Sequence, residues 1–282
     1  IAAGGQHSLA ITEDGTLHAW GSSYTDAHLM PEELVDETVT AISAGQHHSM
    51  AIAADGTLHV WGSNDHGQAS VPPELEGEKV VMIDAGYDHS LALTEDGTLH
   101  AWGLNSAGQA TVPAALAGKT ITDLAAGNLH SLALTDDGVV HAWGDEGSIR
   151  YGLTELPESL DGAEVTAIAT GGGHSLALTA DGVVHAWGDD ADHGVVTLPQ
   201  ALDGQRVVAI GAGSAHSLAI TADGAVHGWG FDNYREATGG TAALGGAKAI
   251  AVDGGHSHSL AIATPPDPLG SLGDAFGSLT GS

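Results

Sequence analysis

Ile121-Thr122-Asp123-Leu124-Ala125-Ala126-Gly127-Asn128-Leu129-His130-Ser131-Leu132-Ala133-Leu134-Thr135-Asp136-Asp137-Gly138-Val139-Val140-His141-Ala142-Trp143-Gly144 is the stretch that decides the architecture. It reads as three short strands. Strand A covers Ile121–Ala125 and ends at a Gly127 turn. Strand B covers His130–Thr135, with Leu132 and Leu134 alternating against Ser131 and Ala133, the period of a strand with two unlike faces. Asp137-Gly138 then gives a hairpin turn, and strand C covers Val139–Trp143. A Gly-rich loop leads to a fourth segment, D, around Leu153–Leu156, ended by Pro157.

The unit recurs. Trp-Gly pairs begin at Trp20, Trp61, Trp102, Trp143, Trp187 and Trp229, spaced 41, 41, 41, 44 and 42 residues apart. His-Ser pairs keep the same beat at His7, His48, His89, His130, His174, His216 and His258. Asp-Gly returns at 14–15, 55–56, 96–97, 181–182 and 223–224. No segment before residue 266 shows helical periodicity, which excludes arrays of helical hairpins, and a β-helix needs shorter repeats. Four short strands per unit with tight turns make a propeller blade, and radial repetition protects the sheet edges. The fold predicted is all-β: a seven-bladed β-propeller of four-stranded blades with the seventh blade incomplete.

The incompleteness is a matter of counting. There are seven A–B pairs and six C–D pairs, and after His258–Thr264 the expected turn is replaced by Pro265-Pro266-Asp267-Pro268. Strands from outside residues 1–264 are therefore expected to finish the blade, with assembly through this blade or the tail as one route. Residues 1–264 form the propeller, six full repeats and a half, and residues 265–282 a Pro/Gly/Ser-rich tail or linker. Leu269, Leu272, Phe276 and Leu279 give the tail a helix-compatible stripe, against which four glycines stand. The opening Ile1-Ala2-Ala3-Gly4, without Met or signal peptide, suggests a piece of something longer.

Ala85-Gly86-Tyr87-Asp88-His89-Ser90-Leu91-Ala92-Leu93 and Asp96-Gly97-Thr98-Leu99-His100-Ala101-Trp102-Gly103 resemble the regulator-of-chromosome-condensation repeat. The join Trp61-Gly62-Ser63-Asn64-Asp65-His66-Gly67-Gln68-Ala69-Ser70-Val71-Pro72 is similar to its bacterial subgroup, which includes a secreted proteinaceous β-lactamase inhibitor. The resemblance covers residues 1 to about 264 and implies a seven-bladed propeller, often with a protein-binding role. It also implies a structural role for the strand-B histidine. The eukaryotic activity, guanine-nucleotide exchange, goes with a chromatin partner that suits a basic protein.

This chain is the opposite. Six Lys+Arg stand against 36 Asp+Glu, a formal net charge of −30 at pH 7. Such a surface repels phosphates, so nucleic acid and anionic membranes are excluded as partners. There is no Cys, hence no disulfide or thiolate chemistry, and no apolar run reaches the roughly 18 residues of a spanning helix.

Thirteen of 18 histidines occupy two repeat slots, seven before Ser in strand B and six two residues before Trp in strand C. Equivalent residues sit a blade apart, too far to share one metal, so the reading is structural: buried and hydrogen-bonded. Asp189, Asp190 and Asp192 with His193 and Gly194 sketch a calcium-like loop but lack a terminal bidentate Glu, and read as an acidic turn. Ser8, Ser49 and their equivalents follow His directly. Neighbours on a strand point to opposite faces, so the pair is no nucleophile–base couple. No phosphate loop, zinc-protease motif or nucleophile elbow occurs; the chain reads as a non-enzyme without metal or cofactor.

A–B and C–D turns must emerge on one face of a propeller. Tyr24, Tyr87, Tyr151, Phe231 and Tyr234, the aromatics other than Trp outside the tail, all lie in or beside these turns, with Arg150 and Arg235 next to two of them. Lys79, Lys119, Arg206 and Lys248 fall on the D–A side. Tyr and Arg are favoured at binding hot spots, so Tyr24, Tyr87, Arg150, Tyr151, Phe231, Tyr234 and Arg235 form the candidate binding face. The function expected is a secreted, cell-surface or particle-surface module recognising a protein or glycan. The alternative is an enzyme inhibitor of the β-lactamase-inhibitor type.

Overall fold

The computed structural model describes residues 1–21, 26–145, 152–190, 193–238, 244 and 246–264. They form seven antiparallel sheets, each built from consecutive strands. Sheet 1 holds Ala2–Ala3, His7–Ile11 and Leu17–Gly21; sheet 2, Val39–Ala44, His48–Ala53 and Leu58–Gly62; sheet 3, Val80–Ala85, His89–Thr94 and Leu99–Gly103. Sheet 4 holds Ile121–Ala126, His130–Thr135 and Val140–Gly144; sheet 5, Val165–Thr170, His174–Thr179 and Val184–Gly188; sheet 6, Val207–Ala212, His216–Thr221 and Val226–Gly230. Sheet 7 has two strands, Lys248–Gly254 and Ser259–Thr264. The A and B strands thus stand where the sequence puts them, and C lies one residue later than read.

The fourth strand does not form among the described residues. Leu153–Leu156 makes no ladder, and the chain passes through Pro157 into the 3₁₀ turn Glu158–Leu160. Equivalent 3₁₀ turns follow Pro31, Pro72, Pro113 and Pro199. Proline has no N–H for a ladder and its φ suits the start of a helical turn, so the segment reads as a cap and not a strand. Leu34, Leu75, Leu116 and Leu202 end these turns buried between sheets.

Each cleft between sheets is filled from both sides. Between sheets 3 and 4, Leu91, Leu93 and Leu116 meet Ile121, Leu124, Ala133 and Trp143. Burying one such Leu is worth roughly 1.5–3 kcal/mol, and the pattern repeats in the other clefts.

Polar groups then lock the sheets into a closed ring. Each B-strand histidine reaches the B-strand serine of the next sheet. His7 Nε2 lies 2.8 Å from Ser49 Oγ, and His48–Ser90, His89–Ser131, His130–Ser175, His174–Ser217 and His216–Ser259 follow at 2.8–2.9 Å. His258 closes the circuit on Ser8 at 3.0 Å. The serine hydroxyls donate in turn to a loop carbonyl of the preceding sheet: Ser49 to Ala27, Ser90 to Gln68, Ser131 to Gln109, Ser217 to Val195 and Ser259 to Glu236. Four of those carbonyls also accept an indole N–H, from Trp61, Trp102, Trp143 and Trp229. With the hydroxyl proton committed, the imidazole must donate through Nε2–H, leaving Nδ1 bare. Nδ1 of His48, His89, His130, His174 and His216 is indeed buried without a partner. It lies against the repeated glycine: a Cβ on Gly86 would stand 2.5 Å from His89 Cε1.

The buried structural role therefore holds for six of the seven strand-B histidines, His258 being half-buried, and not for strand C. His18 is exposed, and His59, His100, His141, His185 and His227 are half-buried, because the fourth strand that would cover them is a loop. Likewise Trp20 is 46% exposed, for its counterpart loop would follow a third strand of sheet 7.

The B–C hairpins rest on Asp-Gly. Asp96 Oδ1 accepts from Thr94 Oγ1 and Thr98 N, while Gly97 takes φ 86°. A Cβ at Gly97 meets nothing within 4 Å, so Gly97→Ala isolates the left-handed backbone cost. Chemical denaturation should show a loss of about 1–2 kcal/mol, with no change at a non-glycine position of the same turn such as Glu95→Ala.

Candidate binding face

The A strands converge on a central cavity of about 220 Å³. Their inner side chains stitch one sheet to the next. Ser43 Oγ accepts Ala85 N–H at 2.9 Å, Asp84 Oδ2 accepts Ala126 N–H at 2.6 Å, Asp123 Oδ2 accepts Ile168 N–H at 3.1 Å, and Asp253 Oδ2 accepts Ala3 N–H at 2.7 Å. Ser43 also donates to Asp84 Oδ1 at 2.8 Å. Burial pushes the Asp84 carboxyl up to about 7, with repulsion from Asp253 and Asp123 adding to it, and Asp253 up to about 6. Asp123 is raised by burial too. The signal in the sequence was a break in a run of small residues: Ala2, Ala125, Ala169 and Gly211 occupy the slot that Ser43, Asp84 and Asp253 fill.

The A–B turns form the mouth of this cavity, joined by backbone bonds from turn to turn: Gly5 N–H to Gly45 O, Gln46 to Gly86, Tyr87 to Gly127, Gly172 to Ser214, Ser214 to Gly255 and His256 to Gly4. Tyr87 lies across it. Its hydroxyl hydrogen-bonds Ser214 Oγ and, at 3.3 Å, His256 Nδ1, on sheets far from its own. Its ring meets His256 edge-on, centroids 6.4 Å apart. Tyr87 thus lies in an A–B turn, as expected, but reaches across the mouth and is half-buried, because the turns opposite carry small residues that let a long ring cross.

The C–D loops join the same face. Leu104 N–H donates to Asp88 O and Phe231 N–H to Ala215 O, each linking a loop to an A–B turn. In two loops an amide pair sets the shape: Asn64 Oδ1 accepts Ala69 N–H and Gln68 Oε1 accepts His66 N–H, and Asn105 and Gln109 repeat this. After sheet 6 the pair is acidic. Asp232 Oδ1 accepts Ala237 and Thr238 N–H, both at 2.9 Å, and Glu236 Oε2 accepts Tyr234 N–H at 2.7 Å. On this frame Tyr234 stands 74% exposed, beside exposed Arg235 with φ 65°. Phe231, by contrast, packs edge-on against His193 at 4.9 Å. Tyr24, Arg150 and Tyr151 lie outside the described residues, as does Asp192. Asp190 accepts from Val196 N–H and Thr197 Oγ1, the work of a turn.

On the opposite face Lys119 Nζ pairs with Asp137 at 3.1 Å. The stems of Lys79, Arg206 and Lys248 line the turns at Gly56, Gly182 and Gly224. Among the described cations, Lys79, Lys119, Arg206 and Lys248 thus lie on this face and Arg235 on the other. Among the described residues there is no cluster of three metal-ligating side chains and no helix long and apolar enough to cross a membrane.

The His–Ser contact was missed as a pair, since it joins each histidine to the serine one repeat and one residue further on. It resembles a nucleophile–base couple but cannot act as one. The imidazole donates, the hydroxyl donates onward to a carbonyl, and both are buried.

This network sets the response to acid. Burial holds His48, His89 and His130 down to about 3 and His7, His174 and His216 to about 4. Near pH 5 the unfolded chain carries protons on these six that the folded chain does not, whereas Asp84 and Asp253 hold two protons in the fold that the unfolded chain has lost. Their stabilisation is lost as pH rises through about 6–7, that of the histidines as pH falls below about 6.5. The histidines outnumber the carboxyls, a difference of four protons and on the order of 5 kcal/mol per pH unit before relief of the net negative charge is set against it. Melting temperature should therefore fall steeply from pH 7.5 to pH 5; a flat or rising profile would contradict the neutral ring.

No curated protein sequence matches the chain. Solved structures do. Prp20p from Saccharomyces cerevisiae aligns with TM-score 0.79 and 21% identity over 97% of this chain and 84% of its own. The CRINKLY WD40 ectodomain of the Arabidopsis thaliana receptor kinase ACR4 aligns with TM-score 0.72 and 20% identity over 95% and 93%. Human WBSCR16 aligns with TM-score 0.71 and 19% identity over 93% and 85%. The regulator of chromosome condensation (RCC1) repeat matches residues 1–24, 39–68, 80–109, 121–148, 165–194 and 207–236, one match for each three-stranded sheet. With more than half its length so matched, the chain belongs to the RCC1 repeat family.

Proposed function

We propose that the chain is a protein-recognition module whose partner docks on the face of A–B and C–D turns, with Tyr234 and Arg235 at the contact. The observation that carries this reading is Tyr234, 74% exposed on a turn held from beneath by Asp232 and Glu236. An aromatic fixed by its own turn offers contact area with little left to order on binding, and Tyr and Arg dominate binding hot spots. Fold relatives support a protein partner: the Prp20p structure is described with binding to Gsp1p and histones. A formal charge of −30 favours a partner with a positive surface. We read the chain as a binder and not an enzyme, and place it outside the cell or on a cell or particle surface, a reading that rests on the resemblance of Trp61–Pro72 to a subgroup with a secreted member.

Tyr234→Ala and Arg235→Ala should each weaken binding of a partner captured by the wild-type chain by about 2 kcal/mol, near thirtyfold, and leave the thermal melt unchanged. Lys119→Glu, on the opposite face, should bind as wild type. Loss of binding with Lys119→Glu but not with Tyr234→Ala would place the contact on the other face.

A further inference from the structure

On the B–C and D–A side, sheets 4 and 5 depart from the other sheets in three places. Where the hairpins of sheets 1 to 3 carry Thr16, Thr57 and Thr98 after Asp-Gly, those of sheets 4 and 5 carry Val139 and Val183. Both valines face outward, 46% and 47% exposed, while the next residues, Val140 and Val184, are 5% exposed and fill the clefts. Leu160 ends its 3₁₀ turn half-buried, whereas Leu34, Leu75, Leu116 and Leu202 end theirs buried. Glu164 lies against Gly138 in the place that Lys79, Arg206 and Lys248 take against Gly56, Gly182 and Gly224.

The three departures fall together. A hollow of about 460 Å³ opens between the hairpin turn 137–140 and residues 160–165, with Val139, Leu156 and Leu160 on its apolar side. A second, of about 400 Å³, shares Ala163 and Glu164 with the first and continues to Val183 and His185. The rim of this groove is acidic: Asp137, Asp161, Glu164 and Asp181 line it, all exposed. Lys119 is taken up by Asp137 at 3.1 Å, and the stem of Arg206 lies against the turn at Gly182. Among the described residues Asp161, Glu164 and Asp181 form no ion pair.

We propose that this groove is a second docking surface, and that its occupant is a segment of another protein in which Lys or Arg alternates with aliphatic residues. The aliphatic groups cover Val139, Leu156 and Val183, and the cations meet Asp161, Glu164 and Asp181. Acidic residues are spread over the whole chain, but here they adjoin exposed aliphatic surface that the hairpins of sheets 1 to 3 lack, and a carboxylate stands where other sheets place a cation. Charge complementarity selects a basic partner, and the apolar floor separates an amphipathic segment from one that is merely basic. The groove lies on the face opposite Tyr234 and does not depend on the reading of the turn face.

The probe is the fluorescently labelled peptide Lys-Leu-Lys-Leu-Lys-Leu, titrated into the 282-residue protein and followed by anisotropy. Two variants put back residues that other sheets carry and should melt near wild type: Glu164→Lys, and Val139→Thr combined with Val183→Thr. Saturable binding is expected, weakened about tenfold or more by either variant. Glu78→Lys, the same change of charge beside sheet 3, and Tyr234→Ala should bind the peptide as wild type does. Lys-Ser-Lys-Ser-Lys-Ser should bind about tenfold more weakly or worse. Equal binding of the two peptides, indifference to either groove variant, or an equal loss with Glu78→Lys would mean attraction to charge alone. Loss with Tyr234→Ala would put the peptide on the turn face. A wild-type dimer in sedimentation that Glu164→Lys dissolves would make the occupant a second copy. Each of these results overturns the proposal, as does no binding at millimolar peptide.

Discussion

The hydrogen bond from a B-strand histidine to the serine of the next sheet is the contact on which the rest depends. It occurs at every junction, including the one that brings sheet 7 back to sheet 1. Apolar clefts supply most of the burial, but burial is indifferent to register. The serine fixes it, because its hydroxyl must accept from the imidazole and donate to a loop carbonyl. That second bond anchors the C–D loop, and the same carbonyl orients the tryptophan. One polar chain thus sets the height of the sheets, the loop path and the indole position, and through the loops it positions the surface a partner meets.

The arrangement has a cost in acid. An imidazole with a bare, buried Nδ1 cannot take a proton without placing an unpaired charge in the interior. The central carboxyls pull the other way, since burial favours their neutral form, but they are fewer. The histidine–serine lattice is consequently built from neutral polar groups, with the carboxylates kept out of it.

Period-2 alternation and Asp-Gly turns made strands A, B and C legible at Ile121–Ala126, His130–Thr135 and Val140–Gly144, and the count of A–B pairs anticipated a two-stranded seventh sheet. The fourth strand was over-read: Leu153–Leu156 has the hydrophobicity of a strand, but Pro157 turns the chain. At the binding face, loop membership was legible and side-chain direction was not. Tyr87 and Tyr234 look alike in sequence. One crosses the mouth because Ser214 and His256 wait on the far side, and the other stands free because Glu236 and Asp232 hold its turn from below. Such pairings join residues more than a hundred positions apart or depend on a backbone path, and no local pattern encodes them. The His–Ser lattice was visible only as two periodic columns, with the offset between them hidden by their adjacency in the chain.

The most direct test of this account is the ionisation and tautomer of the histidines, read from long-range ¹H–¹⁵N correlation spectra of the ¹⁵N-labelled protein at pH 7 and pH 5. The account predicts that His7, His48, His89, His130, His174 and His216 show the Nε2–H tautomer at both values and stay neutral at pH 5. Rings of this set that carry the proton on Nδ1, or that titrate near the ordinary histidine value of about 6.5, would contradict it.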